Sequence, residues 1–427
     1  MPKNSYQVGD KLRDVRNAVG MKQADVAAGA NYSAAMISNY ENSVYPITDK
    51  ILAKLKEAMD VEDIPFTEEE IAACRRDLYI ENDLLNLGDK RQVNGFIATL
   101  VRLATFSCDV GLQILSDLHR ASIMYALGKM DEYDKLMDSL NGQKDEFTDE
   151  HFYWYYRYQG HVEYTHCHYK AAMLLYLQAK EIGDRTNLTD STLNYNIGTC
   201  YAMMGYPYLS NKYLEVVQKK KSKEANLRYW YTTQRLMAVN CSKLEGRENP
   251  IKNLENCLRN LMEYSAHDRF LIGGVYLSVG LVHLNAGDFE KSLENFDRAL
   301  KQYDRDSGAY LLCLCYKTLL LRIHDRNDEA LECLEKALDW AEKDTFFYDM
   351  LNAIRHSMTL HIESSILYLE FTSIPKFMDY GKYEFVINCY EWISSNHKEQ
   401  MKYKRALEYS NKATELYKHL MKGEFPI

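Results

Sequence analysis

Little in this chain stops a helix. Of its 427 residues only 20 are glycine and 7 are proline, and so few turn formers favour long helices over sheets. No stretch reaches the roughly 18 unbroken apolar residues that a membrane span needs. The first residues lack the basic-then-apolar run of a secretion signal, so a cytoplasmic protein is expected. The 10 cysteines form no Cys-x-x-Cys pair. Cys313 and Cys315 fall two apart on a predicted helix and face away from each other, so reduced, buried thiols are expected. The net charge is −9, which excludes a long basic coat for nucleic acid but leaves a small local reader possible. No His-Glu-x-x-His, Gly-rich phosphate loop or Gly-x-Ser-x-Gly elbow is present. His161, His166 and His168 diverge on a helix around Cys167, so no metal site is expected. The chain therefore reads as neither an enzyme nor a cofactor carrier.

What is present is a soluble composition, 46% hydrophobic and 26% charged, with 34 tyrosines suited to helix seams and half-buried grooves. Near the start, Ala24, Val26 and Ala27 form an inward helical register that breaks at Gly29-Ala30-Asn31. Ser33 is a good N-cap for a following helix, in which Ile37 and Tyr40 turn inward and Ser38 and Asn39 outward. Two short helices joined by a tight turn, the second with small polar residues outside, form a helix-turn-helix whose second helix would lie in the DNA major groove. A helix from about Tyr6 to Val19 precedes it, with Val8, Leu12 and Val15 inside, Lys11, Arg13 and Arg16 as a basic outer face, and Gly20 as its stop. A fourth helix, from about Thr48 to Met59, closes the core with Ile51, Leu52 and Leu55. Residues 1–64 are thus expected to be a domain.

Thr67 before Glu68, Glu69 and Glu70 is a capping-box start. It opens connecting helices over 65–110, marked by Ile71, Leu78 and Leu84, and then Phe96, Ile97 and Leu100. From 111 to 422 the pattern repeats. Tyr276, Gly280, His283, Gly287, Ser292, Phe296 and Ala299 define one unit: a small residue in mid-helix, a turn, then a small residue, an aromatic and an alanine. Gly198, Tyr201, Gly205, Ser210, Leu214 and Val217 repeat it, and further copies sit near Gly160, Thr318, Ala121 and Ser394. Ser210, Ile251 and Ser292 are 41 residues apart. Stacked helical hairpins of this kind form a right-handed superhelix with a concave face lined by the first helix of each hairpin. That face reads Arg157, His161 and Tyr164, then Tyr195 and Thr199, Asn240 and Lys243, Asn285, Arg322 and Asn388. Amides bond both groups of an extended backbone, and basic groups take carboxylates, so the groove suits a short peptide. The segment from Asp344 to Phe385 breaks the rhythm. It fits either a long helix with an extra turn or a dimer surface.

Residues Leu12-Arg13, Arg16, Gly20 to Gln23, Val26-Ala27, Ile37 to Glu41, Pro46, Leu52, Leu55 and Ala58-Met59 closely resemble the DNA-binding domain of the lambda-repressor/Cro-like class. The resemblance implies that Gln23 touches a phosphate and braces the reading helix. It implies that Ser33, Ala34, Ala35, Ser38 and Asn39 face base edges, with Lys22, Arg16 and Lys50 as phosphate partners. Such a reader on a long tetratricopeptide-like body resembles the peptide-pheromone-responsive regulators of low-GC Gram-positive bacteria and their phages, the Rgg/Rap/NprR/PlcR/PrgX group. That resemblance implies an all-α cytoplasmic homodimer, switched on operator DNA by a signalling peptide in the groove, with Asn240 and Asn388 placed to clamp it. The residues leave open a docking protein for a response regulator or another protein, and a repressor that needs no ligand.

Overall fold

The computed structural model describes residues 8–42, 44–45, 47–61, 72, 110–188, 191–220, 227–244, 249–264, 268–305, 307–343 and 345–424. The connecting helices expected over 65–110, with their capping box at Thr67, lie outside the described residues, apart from residue 72. Every regular element among the described residues is helical. The chain divides into two compact units, 1–158 with 182–188, and 159–181 with 189–427.

Four short helices make the N-terminal domain: α1 (Val8–Ala18), α2 (Gln23–Ala30), α3 (Ala34–Glu41) and α4 (Asp49–Met59). Their limits are chemical. Ser33 Oγ accepts from the Met36 amide and Thr48 Oγ1 from the Ile51 amide, satisfying donors that each first turn leaves open. Asn31, at φ 58°, ends α2 in the left-handed conformation that asparagine tolerates. Leu12, Val26, Ile37, Leu52 and Leu55 form the buried core. A Cβ on Gly9 would sit 2.4 Å from the Tyr40 and Glu41 carbonyl oxygens, so only glycine lets α1 lie this close to the end of α3.

In the remainder of the first unit, α5 (Val110–Ala126) packs on α6 (Met130–Gly142). The helix α7 (Asp149–Thr165) passes from this unit into the second, and α8 (Tyr169–Thr186) passes back.

From Ser191 onward the second unit is built from helix pairs: α9 (Ser191–Met204) with α10 (Pro207–Lys220), α11 (Leu227–Ser242) with α12 (Pro250–Tyr264), α13 (Arg269–Asn285) with α14 (Phe289–Leu300), and α15 (Gly308–Ile323) with α16 (Asn327–Leu338). The first helices, α9, α11, α13, α15 and the following α17 (Phe346–Thr359), pack side by side as an inner layer. Each second helix packs on its own partner and on the next first helix. The repeat signature has a direct cause. Ser292 Oγ donates to the Gly280 carbonyl at 2.9 Å, and Ser210 Oγ to the Gly198 carbonyl at 2.7 Å. A Cβ on Gly280 would sit 2.5 Å from the Phe296 ring, so glycine, serine and aromatic are one packing device.

The irregular segment is one interrupted helix: α18 (Ile362–Tyr368), a π-helical turn at Leu369–Ser373, and α19 (Ile374–Tyr380) with Pro375 in its first turn. A π turn takes up an extra residue without ending the helix. The last pair is α20 (Tyr383–Glu399) and α21 (Tyr403–Lys422). This pair returns to the start of the unit. The Tyr206 hydroxyl donates to the Glu424 carbonyl at 2.9 Å, the Tyr206 ring meets Tyr383 edge-on, and His168 stacks on Tyr380 at 5.4 Å. Within this unit the last helix pair thus packs back against the turn between α9 and α10.

Candidate functional site

The reading face rests on a buried ion pair. The Glu41 side chain is fully buried, and Arg16 grips it twice, Nε to Oε1 at 2.5 Å and Nη2 to Oε2 at 3.1 Å. Gln23 Nε2 donates to the same carboxylate at 2.8 Å, and Arg13 Nη2 to the Glu41 carbonyl at 3.0 Å. The carboxylate raises the pKa of Arg16 above the ordinary guanidinium range through hydrogen bonding and charge. The basic outer face expected on α1 is corrected accordingly. Arg16 is spent inside the domain, also donating to the Met21 carbonyl, and Lys11 is buried. Arg16 holds α1, the α2 entry and α3 together and is not offered to a phosphate. Ala24, expected inside, is exposed, because the inner stripe of α2 is Val26, Ala27 and Ala30.

Around this brace, Lys22, Ser33, Ala34, Ala35 and Lys50 are exposed and Gln23, Ser38 and Asn39 half-buried. Ser33 is occupied as the cap, and Asn42 Nδ2 donates to the Ser38 carbonyl and hydroxyl. The starts of α2 and α3 thus expose Lys22 and short side chains, and Lys50 is exposed at the start of α4.

The second unit holds a partly open cavity of about 480 Å³. Its walls are the inner helices α11, α13 and α15, together with α20 and α21. Asn240, Lys243, Asn285 and Asn388 of the expected groove residues line it, among leucines such as Leu277, Leu281 and Leu319. Arg322 lines an adjoining cavity of about 430 Å³ that shares Leu319, Phe385, Asn388 and Glu391 with the first.

Asn240 is 3% exposed, and both amide hydrogens are used: Nδ2 donates to Ser210 Oγ at 2.8 Å and to Asn211 Oδ1 at 2.9 Å. Ser210 already gives its own proton to Gly198, so it must accept here, which fixes the orientation of the amide. Oδ1 is the group that Asn240 has left for the cavity. Lys243 Nζ donates to both Glu384 oxygens, at 2.5 and 2.7 Å, an ion pair that joins α20 back to the segment after α11. Asn285 Nδ2 donates to Ser242 Oγ at 2.8 Å.

The remaining groove expectations fall elsewhere. Arg157 belongs to the first unit, 4% exposed, with its guanidinium 4.7 Å from the Trp154 ring and 5.7 Å from Tyr158. It supports an aromatic cluster that includes His119, whose pKa is pushed down to about 3 by burial and by the Arg157 charge. His161 is exposed. The Tyr164 ring packs edge-on to Tyr169, and burial raises its hydroxyl pKa. Thr199 is buried and donates to the Asn196 carbonyl, and Tyr195 is half-buried. None of these five is among the cavity-lining residues.

Sequence reasoning missed Lys382, Glu384 and Arg235, which all line the cavity. Lys382 precedes α20 in a turn after Gly381, a position that reads as surface. Its burial follows from the return of the last helix pair to the start of the unit. Arg235 lies on α11, five residues before Asn240. Gly274 gives the guanidinium room, since a Cβ there would sit 2.3 Å from Nη1.

A helix-turn-helix family model matches residues 12–63. No curated protein matches the chain in sequence. Among solved structures the chain is similar to NprR in complex with its cognate peptide NprX, at 16% identity and TM-score 0.70, over 81% of this chain and 99% of that one. It is similar to a Rap protein complexed with competence and sporulation factor, at 15% identity and TM-score 0.68, over 83% and 99%. It is also similar to the apo form of the quorum sensor NprR from B. thuringiensis, at 16% identity and TM-score 0.59, over 82% and 99%. The chain carries a helix-turn-helix domain at its N-terminus, and its helical repeats share the fold of NprR and Rap.

Proposed function

We propose that the chain is a DNA-binding transcriptional regulator that works as a homodimer and is switched by a short peptide bound in the cavity of its second unit. The observation that carries the reading is the pairing of two features in one chain. One is a braced helix-turn-helix with an exposed recognition start. The other is a partly open cavity of about 480 Å³, within the range of small-ligand sites, lined by leucines with a few convergent polar groups. NprR, a quorum sensor of this repeat fold, has been solved with its cognate peptide.

In this reading Ser33, Ala34, Ala35, Ser38 and Asn39 meet base edges, and Lys22, Gln23 and Lys50 meet phosphates. Arg16 acts at one remove, through Glu41. Asn240, Asn285 and Asn388 bond the backbone of an extended peptide, and Arg322 serves the adjoining cavity. Lys243 acts through Glu384. One reading domain covers a half-site, so a dimer on an inverted repeat is expected. The same repeat fold occurs in Rap, so docking to a protein partner is the reading to be separated from this one. Selection of random duplexes by the full-length chain makes the separation. Enrichment of an inverted-repeat site, with affinity that falls with salt yet keeps its sequence preference, supports the regulator. Recovery of unenriched DNA that is lost at moderate salt overturns it.

A further inference from the structure

We propose that Lys382 is the receptor for a carboxylate carried by the ligand of the cavity, seated at the seam where the last helix pair meets the start of the second unit. The inference rests on the reading of that cavity as a ligand site and names the chemistry that the ligand must bring.

Lys382 lines the cavity and is only 4% exposed. Its ammonium lies 4.3 Å from the centre of the Tyr169 ring, 4.9 Å from that of Phe346 and 3.8 Å from Met203 Sδ. Among the described residues it donates to no oxygen. Ring faces and a thioether are weak partners for a cation taken out of water. The charges near it do not fill the gap. Glu384 favours the ammonium, but Lys243 holds both of its oxygens. Lys243 itself opposes a second cation. Burial raises the Cys167 and Cys200 thiols and the Tyr169 hydroxyl above their ordinary ranges, so all three are neutral around it. Desolvation accordingly lowers the Lys382 amine to about 8, which still leaves it mostly protonated at neutral pH.

The site is thus a buried donor with no oxygen acceptor among the described residues, lining a partly open cavity. A ligand carboxylate supplies the missing half of a charge-assisted hydrogen-bonded pair. Arg235, the cavity's other basic group outside the Lys243 pair, lies against Gly274 and is partly engaged by the Tyr303 hydroxyl, with its buried Nε left without a partner among the described residues. The position also links ligand to shape. Met203 lies in the last turn of α9 and Lys382 immediately precedes α20, so an anion held here ties together the two sides of the seam that Lys243 and Glu384 already bridge.

The carboxylate has two sources, a peptide C-terminus or an acidic side chain, and the test separates them. Full-length chain is used to retain heptapeptides from three random libraries: free C-terminal acid, C-terminal amide, and amide without Asp or Glu. Wild type is expected to retain carboxylate-bearing peptides at least tenfold better than the carboxylate-free library, with the preference fading above about pH 8. Loss of the preference in the amide library assigns the C-terminus; persistence there assigns a side chain. The Lys382→Met variant, checked for folding by circular dichroism, is expected to show no preference, and Lys382→Arg to keep it. Equal retention of the same peptides by wild type and Lys382→Met overturns the assignment while leaving the cavity a peptide site. Retention of nothing from any library overturns the peptide reading itself.

Discussion

Replacing Lys382 by methionine should make the protein more stable. Methionine keeps the length and the apolar stem while removing a charge that burial disfavours. The ordinary lysine amine titrates near 10.5, and burial lowers Lys382 to about 8. Each tenfold loss of proton affinity corresponds to about 1.4 kcal/mol, so holding the charge at pH 7 costs on the order of 3 kcal/mol. The native amine releases its proton near pH 8, whereas the unfolded amine keeps it to about 10.5. Between those values the unfolded chain binds more protons, so the wild-type penalty shrinks as pH rises. Urea unfolding of wild type and variant at pH 7 and pH 9.5 reads this directly. The expected gain for Lys382→Met is about 1–3 kcal/mol at pH 7 and much less at pH 9.5. A variant that is less stable at pH 7, or a difference that ignores pH, would refute the description of Lys382 as a buried, unneutralised cation.

Other outcomes follow from the same packing. Glu41→Leu removes the carboxylate that neutralises Arg16 and accepts from Gln23; a loss of about 3–5 kcal/mol should unfold the small N-terminal domain. Calorimetry should then show its transition gone and the repeat transition kept. Ser292→Ala removes the hydroxyl that bonds the Gly280 carbonyl and should cost about 1–2 kcal/mol. Gly280→Ala drives a methyl into the Phe296 ring and should cost about 1–3 kcal/mol; thermal melts rank the two. Lys22→Ala should weaken all duplexes alike and lower the salt slope by about 1. Asn39→Ala should instead alter preference among sites, as read by anisotropy titrations. Light scattering at micromolar concentration should report a dimer, and a monomer with and without DNA would contradict the proposed assembly.

How much of this was legible in the sequence depended on the range of the contact. Ser33 and Thr48 cap the helices that their spacing marks, because a cap is decided within one turn. The pairs Gly198 with Ser210 and Gly280 with Ser292 show up as a repeat because each is a contact inside one hairpin. Arg16 was misread because helical periodicity assigns a face without revealing that a buried Glu41 lies 25 residues away to claim it. Of the residues expected on the inner face, Asn240, Lys243, Asn285 and Asn388 line the cavity, whereas Arg157 sits in an aromatic cluster of the first unit. The return of the last helix pair to the start of the second unit was not legible at all. It depends on contacts such as Tyr206 with Glu424, 218 residues apart, which no local pattern carries. Lys382 owes its burial to the same long-range return of the chain, so it came into view only with the fold.

The central claim is that occupancy of the cavity alters DNA binding, and linkage between the two sites tests it most directly. The affinity of the full-length chain for its selected duplex is measured with and without a saturating peptide retained by the cavity, for wild type and for Lys382→Met. Differential binding of the peptide to the two states must appear as an equal change in DNA affinity. The account predicts a change of about tenfold or more in wild type, in either direction, and little change in the variant. A duplex affinity that is the same with the peptide bound as without it would contradict the account.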